Sequence, residues 1–167
     1  LRGSSERGWS DIATLFRVLV QIAEHRLRIT TAYFVPDDDL IARLVAAAAR
    51  GVAVEILIPG PHADKRFVQI AAEASYRTLL EGGVRIWNFQ PSMLHAKVAT
   101  VDGLVASIGS ANLNSRSMAL DDETNVVAFA ANLVRELDRH FAEDLPRTLR
   151  VARTHRAERA PARAPRA

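Results

Sequence analysis

The 167-residue sequence contains no cysteine. That excludes disulfides and thiolate metal sites, and it fits a reducing compartment. A long unbroken apolar run is also missing. The most apolar stretch, Leu40 to Ile58, is interrupted by Arg43, Arg50 and Glu55, each costly at the centre of a bilayer, so any membrane association of this chain is expected to be peripheral. The first residue is Leu1 rather than Met, with no charged-then-apolar leader, and the expectation is a piece of a longer polypeptide. A broad basic surface is lacking too. Seven arginines lie between Pro146 and Ala167 against Glu158, which leaves residues 1–145 with 15 basic and 18 acidic side chains. A mildly acidic folded part does not carry the electrostatic footprint of a nucleic-acid enzyme.

What is present is enough apolar sequence, 49%, for one domain with a sizeable core. Residues 1–8 read as a linker, 9–145 as the globular domain, and 146–167 as an Arg/Ala/Pro-rich tail. The tail is expected to be disordered, with contact to anionic lipid as its alternative role. Within the domain, Ile12, Leu15, Phe16, Leu19 and Ile22 mark one face of a helix that runs to about His25. A strand follows over Leu27–Phe34. Pro36 and Asp37 to Asp39 open a second helix, which Gly51 closes. Val52–Ile58 reads as a strand buried on both faces. A helix over Arg66–Glu81, a strand over Val84–Phe89 and a closing helix over Asn132–Asp144 complete an α/β layered pattern.

The chemistry concentrates between Leu94 and Asn112, LHAKVATVDGLVASIGSAN. Residues 94–101 have strand character, so His95 and Lys97 are expected on one face. Asp102-Gly103 signals a two-residue hairpin, and Leu104–Ile108 reads as the returning strand. Gly109-Ser110 ends that strand and frees the Ser110 hydroxyl and Asn112 amide for a loop. A histidine, a cation and two neutral donors then converge, as a phosphoryl group requires, because its transition state spreads negative charge over non-bridging oxygens. Glu123, on an expected strand with Asn125, is the carboxylate expected to reach the His95 ring, since a catalytic imidazole needs its second nitrogen fixed. Asp102, in the hairpin turn, is expected mainly to bond local backbone. His62 and Lys65 follow a strand end and are weaker candidates for the crevice rim. The acidic runs Asp37–Asp39 and Asp121–Glu123 are read as helix capping and strand sequence, with no metal expected.

The order His-x-Lys-x4-Asp-x6-Gly-Ser-x-Asn resembles the HKD motif of the phospholipase D superfamily. RITTAYFVPDD, GVAVEILIPG, the run from Pro61 to Lys97 and GSANLNSRSMALDDETNVVAF are similar to the C-terminal half of bacterial cardiolipin synthases. The resemblance implies a mixed β-sheet flanked by helices, with two such halves facing each other so that two motifs form one active site. It makes His95, Lys97, Asp102 and Glu123 the catalytic set. Lys97, Ser110 and Asn112 hold the substrate phosphate, and no cofactor or metal takes part. One histidine forms a phosphohistidine and the other acts on the leaving and accepting alkoxides, which splits one displacement into two easier ones. The implied activity is phosphatidyl transfer from phosphatidylglycerol or a similar phospholipid, at the cytoplasmic side of a bacterial cell membrane with an anionic surface as partner. A hydrolytic phospholipase D, a dimeric metal-independent endonuclease and a lipid-binding half-domain stand as alternatives. The second motif is expected from a missing N-terminal part, or otherwise from a homodimer.

Overall fold

The computed structural model describes residues 2–4, 9–62, 75–114 and 122–152. The expected helix at 66–81 is therefore seen over 75–81 (α3), while its first part, Lys65 and Asp121 lie outside the described residues. In chain order the other elements are β1 (Arg2–Ser4), β2 (Trp9–Ser10), α1 (Asp11–Ile22), β3 (Arg26–Thr30), β4 (Phe34–Val35), α2 (Asp38–Ala49), β5 (Ala53–Pro59) and β6 (Arg85–Phe89). Then come β7 (Val98–Val101), β8 (Val105–Gly109), β9 (Leu113–Asn114), β10 (Glu123–Ala128), α4 (Ala131–Asp144), a 3-10 turn (Leu145–Arg147) and β11 (Thr148–Arg150).

One sheet runs in the order β11-β6-β5-β3-β7-β8-β10-β1-β2. β3, β5 and β6 are parallel, whereas β7, β8 and β10 alternate in direction. The sheet is thus mixed, with helices on both faces, as expected. β5 is an interior strand between β6 and β3, as its apolar sequence suits: Val54, Ile56, Leu57 and Ile58 are each at most 3% exposed. Alternation sends Leu27, Ile29, Val54, Ile56 and Ile86 into the main core with α1 and α2. The opposite face carries a smaller cluster of Leu57, Phe89 and Phe141 under α4. α2 starts as its sequence predicts, with the Asp37 carboxylate accepting from Leu40 N at 2.8 Å. It ends before Gly51, whose φ of 96° suits glycine.

Several boundaries differ from the sequence reading. The predicted strand Leu27–Phe34 is two elements. At Thr31 the chain leaves the sheet, and Phe34–Val35 pairs with β9 in a separate two-stranded ladder. Ile22, expected in the core, is 45% exposed, and Val20 is buried instead, because α1 packs with a wider face than a strict stripe. The strand expected from Leu94 begins at Val98, so His95 and Lys97 precede it. The hairpin joins Val101 to Val105, so three residues connect the strands, with positive φ at Asp102 (51°) and Gly103 (73°). At both ends the sheet extends past the expected domain limits. Residues 2–4 of the predicted linker pair with β10, and residues 148–150 of the predicted tail pair with β6, each satisfying backbone groups of an otherwise open strand.

The α4 face is pinned by ions rather than by apolar packing alone. Arg28 Nε donates to Glu55 Oε2 at 3.1 Å, and Arg28 Nη1 donates to the Asp138 carbonyl at 3.0 Å. Its guanidinium carbon sits 4.9 Å from the centre of the Phe141 ring. Thr100 Oγ1 donates to Asp138 Oδ1 at 2.7 Å, which ties β7 to α4. Arg28 is 12% exposed and Glu55 9%, so neither charge has water as a ready substitute. Arg28→Ala is expected to lower unfolding stability by about 3–5 kcal/mol, read as a fall in the urea midpoint, because the Glu55 carboxylate loses its buried partner. A midpoint unchanged from the parent would show that this network does not hold α4.

Candidate active site

The candidate residues gather at the end of the sheet where β3, β5, β6 and β8 finish and β7 and β10 begin. Antiparallel pairing produces this. Val98 at the start of β7 lies opposite Ile108 near the end of β8, and Gly109 lies opposite Asn125 near the start of β10. Backbone bonds continue the stitching beyond the ladders, from Gly109 N to Lys97 O at 3.2 Å and from Ser110 N to Thr124 O at 3.0 Å. His95 and Lys97, Ser110, and Glu123 therefore arrive together from three strand ends.

His95 is exposed and Lys97 half-buried. Lys97 Nζ lies 3.0 Å from His95 Nδ1 and 3.2 Å from Nε2, and donates to the His95 carbonyl at 2.8 Å. Burial pushes the Lys97 ammonium below its ordinary pKa, while the Glu123 carboxylate pulls the other way. An anion that joined this cation would favour its charged form. Glu123 is 9% exposed and accepts a hydrogen bond from the Ser110 hydroxyl; that hydroxyl in turn accepts from Thr124 N at 3.0 Å. The ring contacts of His95 in the described structure are thus with Lys97 and Tyr33, and the Glu123 carboxylate is engaged by Ser110. The Asn112 side-chain oxygen is buried with no hydrogen-bond partner among the described residues. His62 is exposed in the turn after β5, at the same end of the sheet.

Asp102 is not brought to this cluster. The whole of β7 separates it from His95, and its carboxylate accepts from Glu24 N (2.8 Å), His25 N (2.9 Å) and Arg26 N (2.6 Å). The expectation of local backbone bonding is corrected here. The bonds reach across more than 70 residues of sequence to the α1–β3 connection, because β7 lies beside β3 and sets the two turns against each other. Burial would raise the Asp102 pKa, but the three N–H donors outweigh it and hold the carboxyl below its ordinary 3.8.

Two contributors were not singled out by sequence reading. Asn125, 2% exposed, accepts from Ala111 N at 3.3 Å and donates to Ser107 Oγ at 2.9 Å, so it shapes the loop that carries Ser110 and Asn112. Its place two residues after Glu123, on the same strand face, was the available signal. Tyr33 stands edge-on to His95, with ring centres 6.5 Å apart and planes at 88°. Its position just past the carboxyl end of β3 pointed to the crevice. Among the described residues no group of three or more His, Asp or Glu side chains is placed to hold a metal.

Two outcomes follow from this geometry. At Gly109 a Cβ would overlap the Thr124 carbonyl oxygen and Asn125 Oδ1. Gly109→Ala is expected to destabilise by about 1–3 kcal/mol and to displace the Ser110 loop, seen as a lowered thermal midpoint; an unshifted midpoint would mean that β10 yields freely. Because the folded pKa of Asp102 is depressed, its stabilisation is present above the unfolded value near 3.8 and disappears as pH falls through the folded one. Asp102→Asn should lose about 1–3 kcal/mol at neutral pH and show a flatter acid limb in a stability-against-pH series than the parent. Parallel acid limbs for the two proteins would contradict that role.

Comparison with known proteins shows the family and the fold. A family model described as "Cardiolipin synthase, PLD-like domain" matches residues 17–145. Cardiolipin synthase 2 of Bacillus cereus is 34% identical over 153 residues, which cover 92% of this chain and 30% of that protein. The cardiolipin synthase of Geobacillus kaustophilus is 35% identical over 144 residues, covering 86% and 28%. The chain thus spans about 30% of the length of the curated relatives it matches. Among solved structures, Nuc of Salmonella typhimurium, a phospholipase D family member, superposes with a TM-score of 0.77 at 23% identity, over 90% of this chain and 96% of that one. Phosphatidylserine synthase of Haemophilus influenzae gives a TM-score of 0.73 at 19% identity, over 90% and 39%. These structural likenesses show the fold.

Proposed function

This chain belongs to the family of cardiolipin synthase phospholipase D-like domains, and from that membership together with the site's geometry we propose that it is one half of a phosphatidyltransferase acting on phospholipid phosphodiesters. The observation that carries the reading is the Lys97 ammonium held within about 3 Å of the His95 ring at an open sheet end, beside the Ser110–Glu123 pair.

The proposed chemistry uses each group for what its surroundings favour. His95 is one of two catalytic histidines, attacking phosphorus or moving the proton of the departing and accepting hydroxyls. Lys97 and Asn112 meet the non-bridging phosphate oxygens. The preorganised cation supplies the charge stabilisation that a phosphoryl transition state demands, in a partly desolvated place where that interaction is stronger than in water. Glu123 holds Ser110 and, with substrate bound, turns toward the His95–Lys97 pair, whose ammonium it already influences. Asp102 holds the fold. The donor phospholipid is phosphatidylglycerol or a close relative, the acceptor is the hydroxyl of a second lipid, and the domain lies peripherally on an anionic membrane. No helix among the described residues is long and apolar enough to cross a membrane. The second HKD motif comes from another half-domain, in a longer polypeptide or otherwise in a homodimer, a reading supported by the chain covering 30% of the Bacillus cereus relative.

The test is a product assay on the full-length protein with labelled phosphatidylglycerol vesicles and plasmid DNA in parallel. Cardiolipin is the expected product, absent from His95→Ala and reduced on the order of 10²- to 10³-fold by Lys97→Ala. Asp37→Ala should keep turnover and lose at most about 0.5–2 kcal/mol of stability through its helix cap. Metal-independent DNA cleavage without lipid turnover, or equal losses from His95→Ala and Asp37→Ala in folded proteins, would overturn the reading.

A further inference from the structure

We infer that Tyr33 is a positioning residue for His95, setting the plane in which the imidazole meets phosphorus or the transferred proton. The inference rests on His95 acting as the catalytic group proposed above. It begins with an asymmetry in how the two rings are held. His95 is exposed and lies on irregular backbone before β7 begins. Its contact with Lys97 does not define a ring orientation. The ammonium is nearly equidistant from both ring nitrogens, at 3.0 and 3.2 Å, so it favours neither one.

Tyr33, in contrast, is clamped on both sides along the chain. Buried Thr31 receives the departing strand: its N–H donates to Leu57 O and its hydroxyl to Tyr33 O, both at 3.1 Å. On the other side Phe34 is 2% exposed and stacked on Tyr76 with ring centres 5.8 Å apart, and Tyr76 Oη donates to Phe34 O at 3.3 Å. The break between β3 and β4 therefore delivers a half-buried aromatic wall from fixed backbone. Its ring meets the imidazole edge-to-face within the range where aromatic pairs attract, with one ring's positive edge on the other's negative face. A wall of that kind removes rotation about the outer torsion of His95, which is broad and roughly two-fold for an unrestrained imidazole. A ring free to turn spends part of its time with neither nitrogen aimed at the reacting atom, and near-attack geometry is lost without loss of substrate binding.

The test compares Tyr33→Leu, which removes the ring, with Tyr33→Phe, which keeps it, in the full-length protein. With phosphatidylglycerol vesicles, Tyr33→Leu is expected to lower kcat by roughly 10- to 100-fold at nearly constant KM, and Tyr33→Phe to stay near the parent. Independently of turnover, the His95 Hε1 resonance, assigned by its loss in His95→Ala, should move in Tyr33→Leu, because the neighbouring ring current is gone, and stay in place in Tyr33→Phe. Parent-like kcat with an unmoved resonance in a folded Tyr33→Leu protein would overturn the inference. So would Tyr33→Phe failing as badly as Tyr33→Leu, which would assign the role to the hydroxyl. Turnover retained by His95→Ala is a separate outcome: it would remove the catalytic reading and the positioning role with it, whereas both Tyr33 failures leave that reading standing.

Discussion

The pairing of β8 with β7 on one side and β10 on the other is the constraint on which the site depends. Each of the three strands contributes only its end to the cluster, and none carries the chemistry alone. Gly109 is where the constraint is tightest. A backbone without a side chain is needed there for the β8 terminus to lie against Thr124 and Asn125, and that approach places the Ser110 hydroxyl on the Glu123 carboxylate. Asp102 secures the far end of the same hairpin by three backbone hydrogen bonds to the α1–β3 turn. The candidate site at one end of β7 and the Asp102 anchor at the other thus share a single short strand.

The electrostatics of the cluster suit an anion. Burial opposes the Lys97 charge and the Glu123 carboxylate supports it, so a further anion would favour the charged form. Among the described residues, the buried acid under α4 is matched, in the Arg28–Glu55–Asp138 network. The same comparison separates structural acids from functional ones. Glu55 and Asp138 face arginines across packed layers, and Asp37 and Asp39 lie at the start of α2 near Arg17 and Arg43.

Much of the fold could be read from residue pattern. The apolar run of β5, the capped start of α2 and the glycine after it are local signals, and local physics decided them. Where tertiary contacts decide, sequence misled. RITTAYF reads as one strand because each residue tolerates extended backbone, yet the Thr31 hydrogen bonds turn the chain out of the sheet there, and Tyr33 reaches the site only through that break. His95 and Lys97 were placed correctly as neighbours but for an incomplete reason, since they stand just outside the strand. The reach of Asp102 to residues 24–26 depends on β7 lying beside β3, a non-local pairing that no spacing within the motif encodes. The edges of the domain failed for a related reason: short segments such as β1 and β11 join the sheet because a neighbouring strand offers unpaired backbone groups, and that offer is invisible in their own composition.

The most direct measurement of the central claim, that His95, Lys97 and Asn112 form one anion-binding catalytic site, is a titration of the full-length protein with inorganic phosphate followed on the ring resonances of His95. Saturable shifts that weaken strongly in Lys97→Ala and Asn112→Ala, and persist in Asp102→Asn, are the predicted result. Shifts indifferent to Lys97 and Asn112, or absent altogether, would contradict it.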